Sequence, residues 1–201
     1  LFNLQSVARA PMVAEQHYNT DNAMFARMLG PTMNYSCGYW KDAETLDEAQ
    51  SNKMDLICRK LDLKEGMSVL DIGCGWGGLS LYMAKEYGVK VTGVTISTEQ
   101  LAYAREHDAG HLVNRSMEGQ FDRIVSVGMF EHVGRKNYDI FMKTTKRLLK
   151  PSGLFLLHTI GNSKKKTGTD PWINKYIFPN GMLPSPVCVA KAITGLYVME
   201  D

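Results

Sequence analysis

The chain has 201 residues, 44% of them hydrophobic, and a formal net charge of +2 at pH 7. That length suits one α/β domain with a sizeable core rather than two, and the near-balanced charge argues against a nucleic-acid partner, which needs a basic excess or stripe. No uninterrupted apolar run approaches the ~20 residues of a membrane span, the first ten residues lack a signal-peptide pattern, and Cys37, Cys58, Cys74 and Cys188 form no C-x-x-C pair and have no histidine at zinc-ligand spacing, so free thiols in a reducing cytosol and no metal site are expected.

Val13 to Leu29 reads as a helix, with Ala, Met and Phe recurring at three- and four-residue steps. Pro31 to Lys41 is a loop dense in aromatics: Tyr35, Tyr39 and Trp40. Thr45 to Leu61 has a clearer amphipathic pattern, carried by Leu46, Ala49, Lys53, Leu56, Ile57 and Lys60. Short apolar runs then alternate with helical segments. Strands are predicted over Ser68–Ile72, Lys90–Val94, Phe121–Val127 and Gly153–Thr159, and helices over Leu79–Tyr87, Thr98–Arg105 and Tyr138–Leu149. This rhythm predicts an α/β fold of parallel strands joined by crossover helices. Gly161 to Pro186 is loop-rich and contains Lys164, Lys165 and Lys166 in a row.

The first strand runs into Asp71-Ile72-Gly73-Cys74-Gly75-Trp76-Gly77-Gly78, a glycine turn followed by a helix. Glycines let the backbone take positive φ and let a ligand approach the main chain, and open α/β sheets bind ligands at this end of their strands. Gly73, Gly75 and Gly78 also satisfy the dinucleotide pattern G-x-G-x-x-G, so an NAD-dependent oxidoreductase is one rival reading. Asp71 weighs against it. A carboxylate two residues before the first glycine is awkward beside a pyrophosphate and suits S-adenosylmethionine, which has no phosphate and carries a cationic methionine portion. The alternatives are a tight turn without ligand, and an Asp71 that caps a helix or is solvated. At the end of the second strand, Thr95 and Gln100 can hydrogen-bond ribose hydroxyls, whereas Ser97 or Thr98 can equally cap the next helix.

Six blocks resemble the cyclopropane fatty acid synthases, in that family's order and over nearly the whole chain. They are Tyr35-Ser36-Cys37-Gly38-Tyr39-Trp40, the glycine turn, Gly93-Val94-Thr95-Ile96-Ser97, Val127-Gly128-Met129-Phe130-Glu131-His132-Val133-Gly134, Leu157-His158-Thr159-Ile160-Gly161, and Trp172 to Gly181. The resemblance implies a Rossmann-like, S-adenosylmethionine-dependent methyltransferase fold: a mostly parallel, doubly wound sheet with helices on both faces. Residues 1–62 are then expected to form an N-terminal helical cap and residues 63–201 the cofactor-binding core. It implies methyl transfer onto the cis double bond of an unsaturated phospholipid acyl chain, followed by deprotonation and ring closure with bound bicarbonate as base. Carried over by motif, Cys37, Glu131, His158 and the main chain of Ile160 surround the bicarbonate. Tyr35, Ser36, Asp71, Gly73, Cys74, Gly75, Trp76, Gly77, Thr95 and Gln100 contact the cofactor. Tyr35, Tyr39 or Trp40 can face a sulfonium or carbocation. Taken alone, Glu131 reads more often as a cap for the helix near Asn137, His158 as a core histidine, and Cys37 as a buried thiol; the place of Glu131 and His158 just past predicted strand ends, on the side of the sheet where Gly73 sits, favours the functional reading of both.

The sequence departs from the family in two places. A third strand and an adenine-binding acid are expected before Arg115, yet His111-Leu112-Val113-Asn114 is barely a strand and Glu118 a weak substitute for the acid. The family also continues past the position of Asp201, adding sheet and a tyrosine near the bicarbonate, and often has a separate N-terminal lipid-binding domain; a chain ending at Asp201 is expected to bind cofactor without turning over. The resemblance further implies a cytoplasmic enzyme docked peripherally on the inner face of the membrane, and a homodimer. Lys164 to Lys166 would meet anionic headgroups, and Trp172, Tyr176, Ile177 and Phe178 would line the acyl path or sit at the interface. A related C-methyltransferase making methyl-branched lipids, and a non-catalytic cofactor- or lipid-binding module, are the other rivals.

Overall fold

The computed structural model describes residues 22–107, 119–163 and 169–200. Helix α1 (Asn22–Leu29) and helix α2 (Leu46–Lys60) precede an alternating series: β1 (Ser68–Ile72), α3 (Gly78–Tyr87), β2 (Lys90–Val94), α4 (Thr98–Glu106), β3 (Phe121–Val127), α5 (Tyr138–Leu148) and β4 (Leu149–His158). Two short helices, α6 (Pro171–Tyr176) and α7 (Pro186–Ile193), follow. Thr45 sets the start of α2 with a capping box. Its hydroxyl accepts from the Glu48 amide at 3.3 Å while the Glu48 carboxylate accepts from the Thr45 amide at 3.0 Å.

The four described strands form one parallel sheet in the order β2-β1-β3-β4. From β1 the chain steps outward to β2, and from β3 it steps outward on the other side to β4. The reversal falls between β1 and β3, and a crevice opens there above their carboxyl ends. Alternate residues feed opposite faces. Val69, Val91 and Val125 pack under Ile57 of α2, its C-cap residue Leu61, and Leu79 and Met83 of α3. Leu70 and Ile124 pack with Leu148 on the other face, where Phe130, Met142 and Ala192 of α7 extend the core over Phe155 and Leu157. Helices on both faces of a parallel sheet are the architecture expected from the alternation of elements.

Three strands have the bounds read from sequence, and helix ends differ by a residue. β4 begins earlier than the expected Gly153. Leu149 already pairs with Phe121, and a register irregularity across Pro151 and Gly153 separates that pair from Arg123↔Leu154. The stretch read as loop-rich contains α6, where Asp170 caps the helix and Pro171 opens it. Residues 13–21 of the first predicted helix, the weak strand candidate with Glu118, and Lys164 to Lys166 lie outside the described residues. Among the described residues no helix is long and apolar enough to cross a membrane.

Candidate active site

A cavity of about 270 Å³ opens over the ends of β1, β2 and β3. Tyr35, Ser36, Asp71, Gly73, Cys74, Gly75, Trp76, Thr95 and Gln100 all line it. Gly77 does not. It is the residue before α3, in the left-handed region at φ 88°, and its carbonyl accepts the first helical bond from Leu81 at 2.8 Å. The turn is tied to β2, because the amides of Gly73 and Cys74 both donate to the Val94 carbonyl. At Gly75 an added Cβ would meet nothing nearer than Gln100 Nε2 at 3.9 Å, so the main chain there lies open to the cavity.

Asp71 is neither solvated nor a cap. It is 2% exposed and accepts a 2.7 Å hydrogen bond from the Ser80 hydroxyl. Burial pushes its carboxyl up to about 6, against the pull of Ser80. A buried carboxylate with no basic partner among the described residues favours a cation arriving from the cavity. Thr95 donates to the Gln100 side-chain oxygen at 2.8 Å, and both side chains face the cavity. Ser97 is the cap of α4, accepting from the Gln100 amide at 3.2 Å.

The aromatic loop divides. The Tyr35 ring lines the cavity, 5.7 Å from Phe25 and 6.2 Å from Phe178 between centroids. Phe25 in turn packs at 4.7 Å against Trp76, tilted by 46°, and the Trp76 indole N–H donates to Asn22 at 2.9 Å, so α1 lies over the glycine turn. Tyr39 and Trp40 are 39% and 56% exposed and do not line the cavity, which corrects their reading as partners of the reacting cation.

A polar cluster adjoins the cavity. Glu131 sits on a single 3-10 turn (Phe130–His132) just past β3 and is 7% exposed. One carboxylate oxygen accepts from the Ile160 amide at 2.6 Å, while the other is buried without a hydrogen-bond partner. Glu131 therefore caps no helix, and the Ile160 amide reaches the cluster already engaged. His158 ends β4, opposite Val127 of β3, and its Nδ1 is also buried without a partner. Burial lowers the His158 pKa, the charge of Lys53 lowers it further, and Glu131 opposes both. Cys37 is exposed rather than packed in the core.

Lys53 joins the cluster to the cavity and was legible in the sequence only as one position of an amphipathic helix. It is 5% exposed, lines the cavity, and donates to the Ser36 hydroxyl at 2.7 Å. Burial brings it down to about 8, opposed by the nearby Cys37. The signal available beforehand was its place one turn from Ala49 and from Ile57, both of which are buried. The segment beyond α6 also reaches this site: Phe178 meets the His132 ring edge at 5.4 Å, and Pro179 and Asn180 line the cavity. Trp172 and Tyr176 are 60% and 56% exposed.

The family model for mycolic acid cyclopropane synthetase matches residues 5–199. The cyclopropane-fatty-acyl-phospholipid synthase of Escherichia coli K12 is 58% identical over 207 residues, covering 100% of this chain and 54% of that protein. Cyclopropane mycolic acid synthase 1 of Mycobacterium tuberculosis H37Rv is 37% identical, covering 85% of this chain and 68% of that protein. Among solved structures, mycolic acid cyclopropane synthase CmaA1 complexed with SAH and CTAB superposes with a TM-score of 0.82 at 34% identity, over 94% of this chain and 75% of that one. The chain spans about half the length of the curated relatives it matches first.

Proposed function

Since this chain belongs to the mycolic acid cyclopropane synthetase family, we propose that it transfers the methyl group of S-adenosylmethionine to the cis double bond of an unsaturated phospholipid acyl chain and closes a cyclopropane ring. The observation that carries this reading is the junction of two features: a strand-end cavity holding a buried, cation-seeking Asp71, and beside it Glu131 and His158, each with a buried polar atom that lacks a partner. The name of the E. coli relative supports the lipid substrate, and the SAH in the CmaA1 complex supports the cofactor.

S-adenosylmethionine, when bound, supplies an electrophilic methyl carbon on a sulfonium. Asp71 attracts its cationic end, Thr95 and Gln100 hold hydroxyls, and Gly75 lets the ligand approach the main chain. As the methyl carbon bonded to one alkene carbon, its bond to the sulfonium sulfur would break, the electron pair staying on sulfur of the departing S-adenosylhomocysteine; the other alkene carbon would become a cation, which the Tyr35 ring face suits. Loss of one proton from the new methyl group then closes the ring, so the chain gains CH2. Bulk water would capture the cation as an alcohol, so a small base in a water-excluded pocket is required. Bicarbonate, when bound, would supply that base. The unpartnered Glu131 oxygen fits its hydroxyl as an acceptor, and the unpartnered His158 nitrogen fits one of its oxygens as a donor.

The residues before 63 act in this reading as a cap, supported by the Phe25–Trp76 and Tyr35–Phe178 contacts. The exposed Trp172 and Tyr176, with Lys175 over the Tyr176 ring, suit peripheral docking at the inner, cytoplasmic face of a membrane. Homodimerisation belongs to the same proposal and rests on resemblance alone.

Mass spectrometry of lipids from cells making the full-length protein tests the reaction. Unsaturated chains should gain one CH2, with cyclopropane ring protons in the product by NMR. An unaltered lipid profile would overturn the proposal, and methyl-branched products would favour the related C-methyltransferase.

Asp71 gives a pH test. Its folded-state pKa, about 6, stands above the ~3.9 of an unfolded chain. The ligand-free protein therefore loses stability as pH rises through that window, and a bound cation offsets the loss. Cofactor affinity should be flat above about pH 7 and fall by up to about tenfold per pH unit below 6. Calorimetric titration should show this slope in the unchanged protein and lose it in Asp71→Asn. The same slope in both proteins would remove Asp71 from the cofactor's binding.

A further inference from the structure

We infer that Lys53 is a bicarbonate-binding residue: it anchors Ser36 at the cavity wall and directs its remaining N–H donors to the oxyanion held beside Cys37, Glu131 and His158. The inference rests on the proposed reaction and extends it to a residue on α2, outside the motifs that suggest the chemistry.

Lysine is seldom fully buried without an ionic partner, yet Lys53 is 5% exposed on a helix face shared with the buried Ala49 and Ile57. Among the described residues no carboxylate lies within ion-pair distance of it, and its one hydrogen bond is to the neutral Ser36 hydroxyl. An ammonium has three donors, so two are left at a point that lines the cavity. The other buried cation of the described residues, Arg123, lies near the opposite end of β3 and is engaged by the carbonyls of Leu61, Asp62 and Asp122. Lys53 is thus the buried positive charge that serves this site.

Charge and donor count both call for it. Bicarbonate placed next to Glu131 brings two anions together, which needs a cation nearby to be tolerated. Burial and Lys53 itself push His158 toward its neutral form, so Lys53 is the better placed source of that charge. The oxygens that do not carry the bicarbonate proton need N–H donors. The Ile160 amide is taken up by Glu131, which leaves His158 with one donor and Lys53 with two. A solely structural role is already covered in part, because Gln50, one turn earlier, holds the Ser36 carbonyl at 2.9 Å.

The test measures initial rates of methyl transfer to dioleoyl phospholipid vesicles by the full-length protein, at saturating S-adenosylmethionine. Buffers are stripped of carbon dioxide and bicarbonate is titrated back. In Lys53→Met the half-saturating bicarbonate concentration should rise about tenfold or more, with S-adenosylmethionine kept saturating for the variant at the affinity measured calorimetrically. Lys53→Arg should restore most of the bicarbonate response. A bicarbonate-dependent unchanged protein and a Lys53→Met variant with the same half-saturation would overturn the role of Lys53 alone. An unchanged protein indifferent to bicarbonate would overturn the base assignment, and this inference with it. Should the methionine variant lose its melting transition, Lys53→Gln carries the same comparison against Lys53→Arg, and equal half-saturation in those two would again overturn it.

Discussion

Replacing Glu131 by glutamine should lower methyl transfer by about a hundredfold or more while leaving S-adenosylmethionine binding within about twofold of the unchanged protein. The substitution keeps the size of the side chain, and the glutamine oxygen can still accept from the Ile160 amide that Glu131 holds at 2.6 Å. What changes is the second position. There the carboxylate presents a buried oxygen with no partner, and glutamine would put a donor in its place. A donor facing the hydroxyl of bicarbonate reverses the hydrogen bond on which the base depends, and the negative charge is lost with it. Cofactor affinity should be little affected, because Glu131 is not among the residues that line the cavity. Calorimetric titration and a radiolabelled methyl-transfer assay on the same preparation separate the two effects. Full turnover by the glutamine protein would remove Glu131 from the chemistry. Loss of cofactor binding in step with activity would instead make it a support for the cavity.

The strands were legible because buried parallel strands are written as short β-branched and apolar runs, as in Val69-Leu70 or Ile124-Val125, both fully buried. The glycine turn was legible because few local structures need so many glycines so close together. The two helices that escaped the reading share a cause and a missed signal. α6 has six residues and α7 eight, too few for periodicity to show. Each nevertheless opens on a cap residue followed by proline, Asp170-Pro171 and Ser185-Pro186. Lys53 was hidden for a different reason. A lysine within an amphipathic pattern reads as part of the solvent face, and only the packing of Ala49, Met54 and Ile57 around it shows the face to be inward. Trp40 is the converse: large and apolar, it suggested a ligand contact, yet it lies 56% exposed. Residue type carried the information where backbone and side chain were constrained together, and failed where the direction of one side chain decided the matter.

Two glycines of the turn after β1, Gly75 and Gly78, should separate folding from cofactor binding. In Gly78→Ala the new Cβ would stand 1.9 Å from the carbonyl oxygen of Thr32 and 3.0 Å from Asn34 Nδ2. Backbone must move, and the displaced segment leads directly into Asn34, Tyr35 and Ser36, which line the cavity. The expected result is a loss of ~3 kcal/mol or more, in the range of overpacked or strained core sites. That corresponds to a fall of ~6–12 °C in melting temperature for a domain of this size, with cofactor binding lost as well. Gly75→Ala meets no such obstacle, since its nearest neighbour is Gln100 Nε2 at 3.9 Å. Holding alanine at φ 57° costs ~1 kcal/mol, or ~2–4 °C. Its methyl group, however, enters the space where the main chain meets the ligand, so affinity should fall by tenfold or more at nearly unchanged stability. Differential scanning calorimetry with and without S-adenosylmethionine reads both quantities. A Gly75→Ala protein still stabilised fully by the cofactor would mean that the ligand does not rest against this turn. An undiminished melting temperature in Gly78→Ala would mean that the Thr32 segment can yield, and that the close approach of α3 to it is not what holds the cavity wall in place.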